Sequence, residues 1–194
     1  MIKYLGYAVT FSEIPEETTL CFNITNCPHR CIGCHSPQLQ EDIGKDLEPD
    51  IKSIIDKYIG GITCVCFMGE GNDWVALEKC MRIVSDCYPD LKIALYTGLE
   101  GDGSNGDTSE LQALDSYTTG RNPDGYDKCH EPLVTYLKLG KYDPQKGGLN
   151  SPSTNQRLFR TDYIDDFNCP VCENITSKFW KKGYHNGNNS NLIP

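Results

Sequence analysis

The stretch TTLCFNITNCPHRCIGC, Thr18 to Cys34, decides how the chain is read. Thr18 to Thr25 is β-branched and apolar, which predicts a strand. That strand runs directly into Cys27, Cys31 and Cys34, so the cysteines fall in a loop at its carboxyl end.

Downstream, Leu47, Ile51, Ile54, Ile55, Tyr58 and Ile59 recur at helical spacing, with Pro49 near the start and Gly60-Gly61 as the stop. ITCVCF, Ile62 to Phe67, predicts a second strand ending at Gly69. Trp74, Leu77, Met81 and Val84 then mark a helix capped by Asn72 or Asp73. LKIALY, Leu91 to Tyr96, and LVTYLKL, Leu133 to Leu139, predict two more strands, closed by Thr97-Gly98 and by Gly140. Strand and helix alternate, which implies an α/β fold with a mostly parallel sheet, helices packed on it and right-handed crossovers. RLFRTDYI, Arg157 to Ile164, is expected at a sheet edge, and ENITSKFWKK, Glu173 to Lys182, as a terminal helix with cations in its last turn.

Residues 1–182 are expected to form a single domain. Between Leu99 and Pro132 the periodicity gives way to Gly, Asp, Asn and Ser around one short helical candidate, SELQALDSY, so about 99–132 reads as a surface insertion. The Asn-rich residues 183–194 read as a disordered tail.

Composition narrows the function. A net charge of −9 disfavours nucleic acid as a partner, because phosphate binding relies on clustered Lys and Arg. No apolar run approaches the roughly 20 residues that span a bilayer, so no membrane role is expected. The start, MIKYLGYAVTF, lacks the basic, apolar and small-residue regions of a secretory signal, which predicts a cytoplasmic location. Eleven cysteines, an odd number, in a reducing compartment point to metal ligation or redox chemistry rather than to a disulfide framework.

Cys27, Cys31 and Cys34 have the chemistry for an iron–sulfur cluster, since soft anionic thiolates suit iron and close spacing lets one loop wrap the cluster. The x3 and x2 gaps of CPHRCIGC supply three ligands and no obvious fourth cysteine nearby, which leaves one iron open. A zinc site completed by His29 or His35 is the alternative, although zinc motifs more commonly show two separated ligand pairs.

CFNITNCPHRCIGCHSP, Cys21 to Pro37, resembles the cluster loop of radical S-adenosylmethionine enzymes, and more narrowly that of the anaerobic ribonucleotide reductase activating proteins. That subgroup accepts Gly before the last cysteine, the place of Gly33. The likeness extends over most of residues 1–98 and 133–182, including FMGEGND, YTG, YLKLGKY and SPSTNQRLFR. It implies a partial (β/α) barrel of the radical S-adenosylmethionine type, with the cluster loop after the first strand and the cofactor across the strand ends.

The resemblance also implies an activity. The open iron of a 4Fe–4S cluster would be chelated by the amino and carboxylate groups of S-adenosylmethionine, whose sulfonium bond is then broken reductively. The resulting 5′-deoxyadenosyl radical would take a hydrogen from a glycine of the large catalytic subunit of an anaerobic ribonucleotide reductase, with a reduced donor such as flavodoxin supplying the electron. Gly69 and Glu70 stand where the family carries a Gly-Gly-acid turn that meets the methionyl amine, with Met68 in place of its first Gly. Gly33 and His35 flank the last cysteine and are candidates to touch adenine or position the cluster. Thr97 and Lys138, at later strand ends, face the ligand side of such an architecture. Arg157 is a candidate to pair with a carboxylate or with the partner.

Of the other cysteines, Cys21, Cys64, Cys66, Cys80 and Cys87 read as small core hydrophobes. Cys169 and Cys172 form CPVC, read as a loop and as a possible auxiliary metal or redox pair, with Cys129 and His130 as distant companions. Two other functions fit the same residues: a radical enzyme acting on a small molecule or on another glycyl-radical enzyme, and a non-catalytic zinc-binding interaction module.

Overall fold

The structure is a computed structural model that describes residues 1–99, 133–164 and 169–180, the last residues of one strand and the first of the next (162–164 and 169–172) as backbone alone. Its centre is a mixed sheet of eight strands among the described residues. These are β1 (Lys3–Thr10), β2 (Thr19–Ile24), β3 (Lys45–Asp46), β4 (Cys64–Met68), β5 (Lys92–Tyr96), β6 (Tyr136–Leu139), β7 (Arg157–Ile164) and β8 (Cys169–Asn174). The spatial order is β3-β1-β2-β4-β5-β6-β7-β8. β2, β4, β5 and β6 run parallel, and the outer strands are antiparallel.

Two helices of the described chain lie on one face. In α1 (Ile51–Asp56) Ile51, Ile54 and Ile55 are buried, and in α2 (Trp74–Cys87) the buried stripe is Leu77, Cys80, Met81 and Val84. Asp73 caps α2 by accepting the Ala76 N–H at 3.0 Å. Asp50 precedes α1 without a side-chain cap; its carboxylate accepts instead from the Tyr4 hydroxyl at 2.9 Å. Both helices pack on Leu20, Phe22, Ile24, Val65, Phe67, Ile93, Leu95, Leu137 and Leu139, the alternate residues of the four parallel strands.

The opposite face positions the site. Register sets its side chains in rows across the sheet: Thr19, Cys64 and Lys92; then Cys21, Cys66, Ala94 and Tyr136; then Asn23, Met68, Tyr96 and Lys138 at the carboxyl ends. The middle row, small apart from Tyr136, is fully packed and joined by Ile14, Leu158 and Ile175. At the amino end Glu17 closes the face, its carboxylate accepting from Lys92 at 2.5 Å, Thr63 at 2.6 Å and Tyr136 at 2.6 Å. Burial alone would raise the Glu17 carboxyl, but these three donors outweigh it and hold it below the ordinary value.

Several expectations change. A strand, β1, precedes the cysteine-bearing one; its alternation is broken at Gly6, where φ is +102° and the pairing with β2 shifts between Tyr4 and Tyr7. The cysteine loop therefore follows the second strand of the chain, the first of the parallel set. RLFRTDYI is not an edge strand, because β8 pairs along its outer side. CPVC belongs to β8 rather than to a loop. ENITSKFWKK does not form a terminal helix: Glu173 and Asn174 end β8, and Thr176–Phe179 makes one 3₁₀ turn. Asn174 Oδ1 accepts from the Thr176 N–H at 3.1 Å and hydroxyl at 2.6 Å, a local turn that competes with helix formation. The insertion, from residue 100 onward, and the tail lie outside the described residues, as do Cys129, His130 and the side chains of Cys169 and Cys172. No helix among the described residues is long and apolar enough to cross a membrane.

Candidate functional site

A cavity of roughly 790 Å³ opens over the last row of the sheet. Its floor is Asn23, Met68, Tyr96 and Lys138, and one wall is the cysteine loop with Cys27, Cys31 and Cys34. The other wall comes from the turn after β6, with Tyr142, Leu149 and Gln156, and Phe11 and Phe179 complete the rim. The size falls within the range of about 300–1,000 Å³ usual for ligand sites.

The loop is held tightly at its base. The Asn26 N–H donates to Glu41 O at 2.9 Å and the Cys27 N–H to Leu39 O at 3.0 Å, while Gln40 Nε2 donates to Cys31 O at 3.3 Å. Asn26 and Arg30 both adopt left-handed backbone, at φ 58° and 45°, which is uncommon for residues with a side chain and clusters at functional sites. This path turns backbone N–H groups toward sulfur: Cys27 accepts from the amides of His29 and Arg30, and Cys34 Sγ from Ser36 N at 3.4 Å. Burial raises the Cys27 thiol, and those two amides act against it. The three thiols share the wall, and no three His, Cys, Asp or Glu among the described residues are grouped to hold a single metal ion.

The strand ends contribute the rest. Gly69 has φ +108° and a Cβ there would lie 3.1 Å from Ile24 O, so a side chain at this position would be strained and crowded against the end of β2. Glu70 follows; its Oε1 lies 2.5 Å from His29 Nε2, and its Oε2 accepts from the Thr97 hydroxyl. Lys138 is buried and donates to Gly140 O at 2.7 Å and Thr97 O at 3.3 Å. Burial lowers its ammonium to about 8, while Cys31, Cys27, Cys34 and Glu70 pull the other way, so one buried amine senses all three thiols.

Cys27, Cys31, Cys34, His35, Gly69, Thr97 and Lys138 thus line one cavity. Glu70 stands behind His29 and Thr97 rather than on the surface of the cavity. Gly33 is also off the lining and backs onto Pro144 and Tyr142. His35 is exposed, and its ring packs against Tyr142 with centroids 4.4 Å apart. Arg157 reaches no carboxylate among the described residues; its guanidinium donates to Thr154 O at 2.5 Å and Gln156 O at 2.9 Å and braces the turn beside the cavity. Cys87 is exposed, contrary to its reading as core; it is the last residue of α2, beyond Val84, where the buried stripe ends.

Sequence reasoning missed the His29 contact with Glu70, and it missed the floor residues Asn23, Met68 and Tyr96. Period-two alternation counted from the buried cysteines of β2 and β4 was the available signal for Asn23 and Met68. Comparison with protein-family models, with curated proteins and with solved structures finds no match to this chain.

Proposed function

We propose that the chain is a radical S-adenosylmethionine enzyme that activates an anaerobic ribonucleotide reductase by generating a glycyl radical on its large subunit. The observation that carries the proposal is the shared cavity: three thiols from one loop, and Gly69, Thr97 and Lys138 from the ends of parallel strands, meet around one space.

The donor set fits a 4Fe–4S cluster. Such a cluster takes each thiolate on a different iron, and three cysteines of one loop on one cavity wall supply that number, whereas a zinc ion needs about four donors converging on one point. Amide N–H groups aimed at Cys27 and Cys34, and the Lys138 ammonium nearby, favour the anionic sulfur that iron requires. When bound, the cluster supplies the electron that breaks the sulfonium bond of S-adenosylmethionine.

The chain's own residues then bind and orient. Glu70 supplies a carboxylate for the methionyl amine, Thr97 fixes one of its oxygens, and the floor row leaves room for the nucleoside. The small middle row, Cys21, Cys66 and Ala94, is what a sheet curved into a partial barrel needs on its inner face, with helices on the outer one. The reductase subunit and a flavodoxin-like donor are the partners of this reading.

Anaerobic reconstitution with iron and sulfide, reduction by dithionite and measurement of 5′-deoxyadenosine test it. Cleavage of S-adenosylmethionine is expected, followed by a glycyl signal in electron paramagnetic resonance once the reductase is added. Cleavage without that signal points to another substrate; intact, iron-loaded protein with no cleavage overturns the proposal.

A further inference from the structure

Three strand-end groups, Gly69, Thr97 and Lys138, face the cavity, while the carboxylate between them is covered. His29 does the covering. Its imidazole contacts Glu70 Oε1 at 2.5 Å, Thr97 holds the other oxygen, and the His29 and Glu70 side chains are 10% and 11% exposed. The ring has a fitted seat: a Cβ on Gly98 would lie 2.6 Å from its Cγ and Cδ2, so the imidazole occupies the space that only a glycine leaves there. A residue that only supported Glu70 would leave the carboxylate open toward the ligand. Here the supporting ring is itself what the cavity meets.

We propose that His29 is a latch on Glu70, displaced from its seat on Gly98 when the amino group of a ligand takes the carboxylate. The inference rests on the reading of Glu70 as the amine-binding carboxylate. His29 lies between Cys27 and Cys31, so the exchange links occupancy of the amine subsite to the loop that carries the thiols. It also makes the site selective for ligands with an amino group, since a bare nucleoside offers nothing to compete with the imidazole for a buried carboxylate.

The test compares two ligands by calorimetry on reconstituted chain with its cluster oxidised, so that nothing turns over: S-adenosylmethionine, and 5′-methylthioadenosine, which lacks the amino-acid portion. The quantity read is the ratio of their affinities. His29→Ala removes the competitor and should raise that ratio about tenfold, the worth of one hydrogen bond to a charged group. Gly98→Ala keeps the histidine but fills the seat of its ring, and should shift the ratio in the same direction; a general effect on nucleoside binding cancels. A ratio that stays constant or falls overturns the latch, Gly98→Ala deciding if His29→Ala fails to take up iron. A wild-type chain that loads iron and binds neither ligand instead refutes the underlying reading, and the latch with it.

Discussion

Two sets of three cysteines lie near the same face of one sheet, and their surroundings differ. Cys21, Cys64 and Cys66 stand in β2 and β4 at relative exposures of 3%, 0% and 0%, Cys21 and Cys66 filling the middle row beside Ala94 and Cys64 the row before it. Burial pushes the Cys64 and Cys66 thiols well above the ordinary value, and the thiol partner of Cys66, Cys21, raises it further. Cys27, Cys31 and Cys34 are half-buried in a loop whose amides point at sulfur. The contrast shows that residue type says little by itself. A cysteine at period two on a core face acts as a small hydrophobe, and one in a loop of inward-turned N–H groups has donors beside its sulfur and a cavity in front of it.

The sharpest way to break that contrast is Cys31→Ala. Two remaining loop thiolates cannot secure a cubane, so iron after reconstitution should fall from about four per chain to near none, while urea unfolding of the metal-free chain shifts by less than about 0.5 kcal/mol. Full iron content in this variant would show that the loop thiols are not the ligands.

The converse substitution, Cys66→Ser, should leave iron uptake intact and cost stability. It puts a hydroxyl at a position with no accessible surface, beside thiols that are poor partners, for a loss of about 1–3 kcal/mol in the same urea titration. A variant that unfolds like the wild type but loses iron would exchange the roles assigned to the two sets.

The difference between the two sets was partly legible in the sequence. The x3 and x2 spacing separated the loop cysteines from those in apolar runs, and the parallel strands were readable because each is a short apolar segment ended by glycine or threonine. What stayed hidden depends on pairing rather than on local pattern. β1 was missed because Gly6 and its bulge interrupt the alternation, and β7 seemed an edge strand because nothing in CPVCEN announces a strand beside it. Glu17 and His29 are the clearest cases: their partners stand 75 and 41 positions away, at Lys92 and Glu70, and only the fold brings them together.

Glu17 gives the smallest test, because it closes the core end of the face as Glu70 does the cavity end. Both carboxylates take a threonine hydroxyl and a basic side chain, but Glu17 also takes the Tyr136 hydroxyl, on the packed row away from the cavity. Glu17→Gln should therefore cost about 1 kcal/mol, reduced from the usual value of a charged hydrogen bond because Lys92 is 43% exposed, and should leave ligand affinity unchanged. The sign with pH follows from the lowered Glu17 carboxyl. Its stabilisation is fully present above the unfolded carboxylate value of about 4.3 and is lost as pH falls through the lower folded value. The gap in urea midpoint between wild type and Glu17→Gln should thus be constant from pH 7 to about 5 and close as the pH drops below 4. A gap that widened in acid would mean that the buried carboxyl resists ionisation, and that the Lys92, Thr63 and Tyr136 donors do not offset its burial.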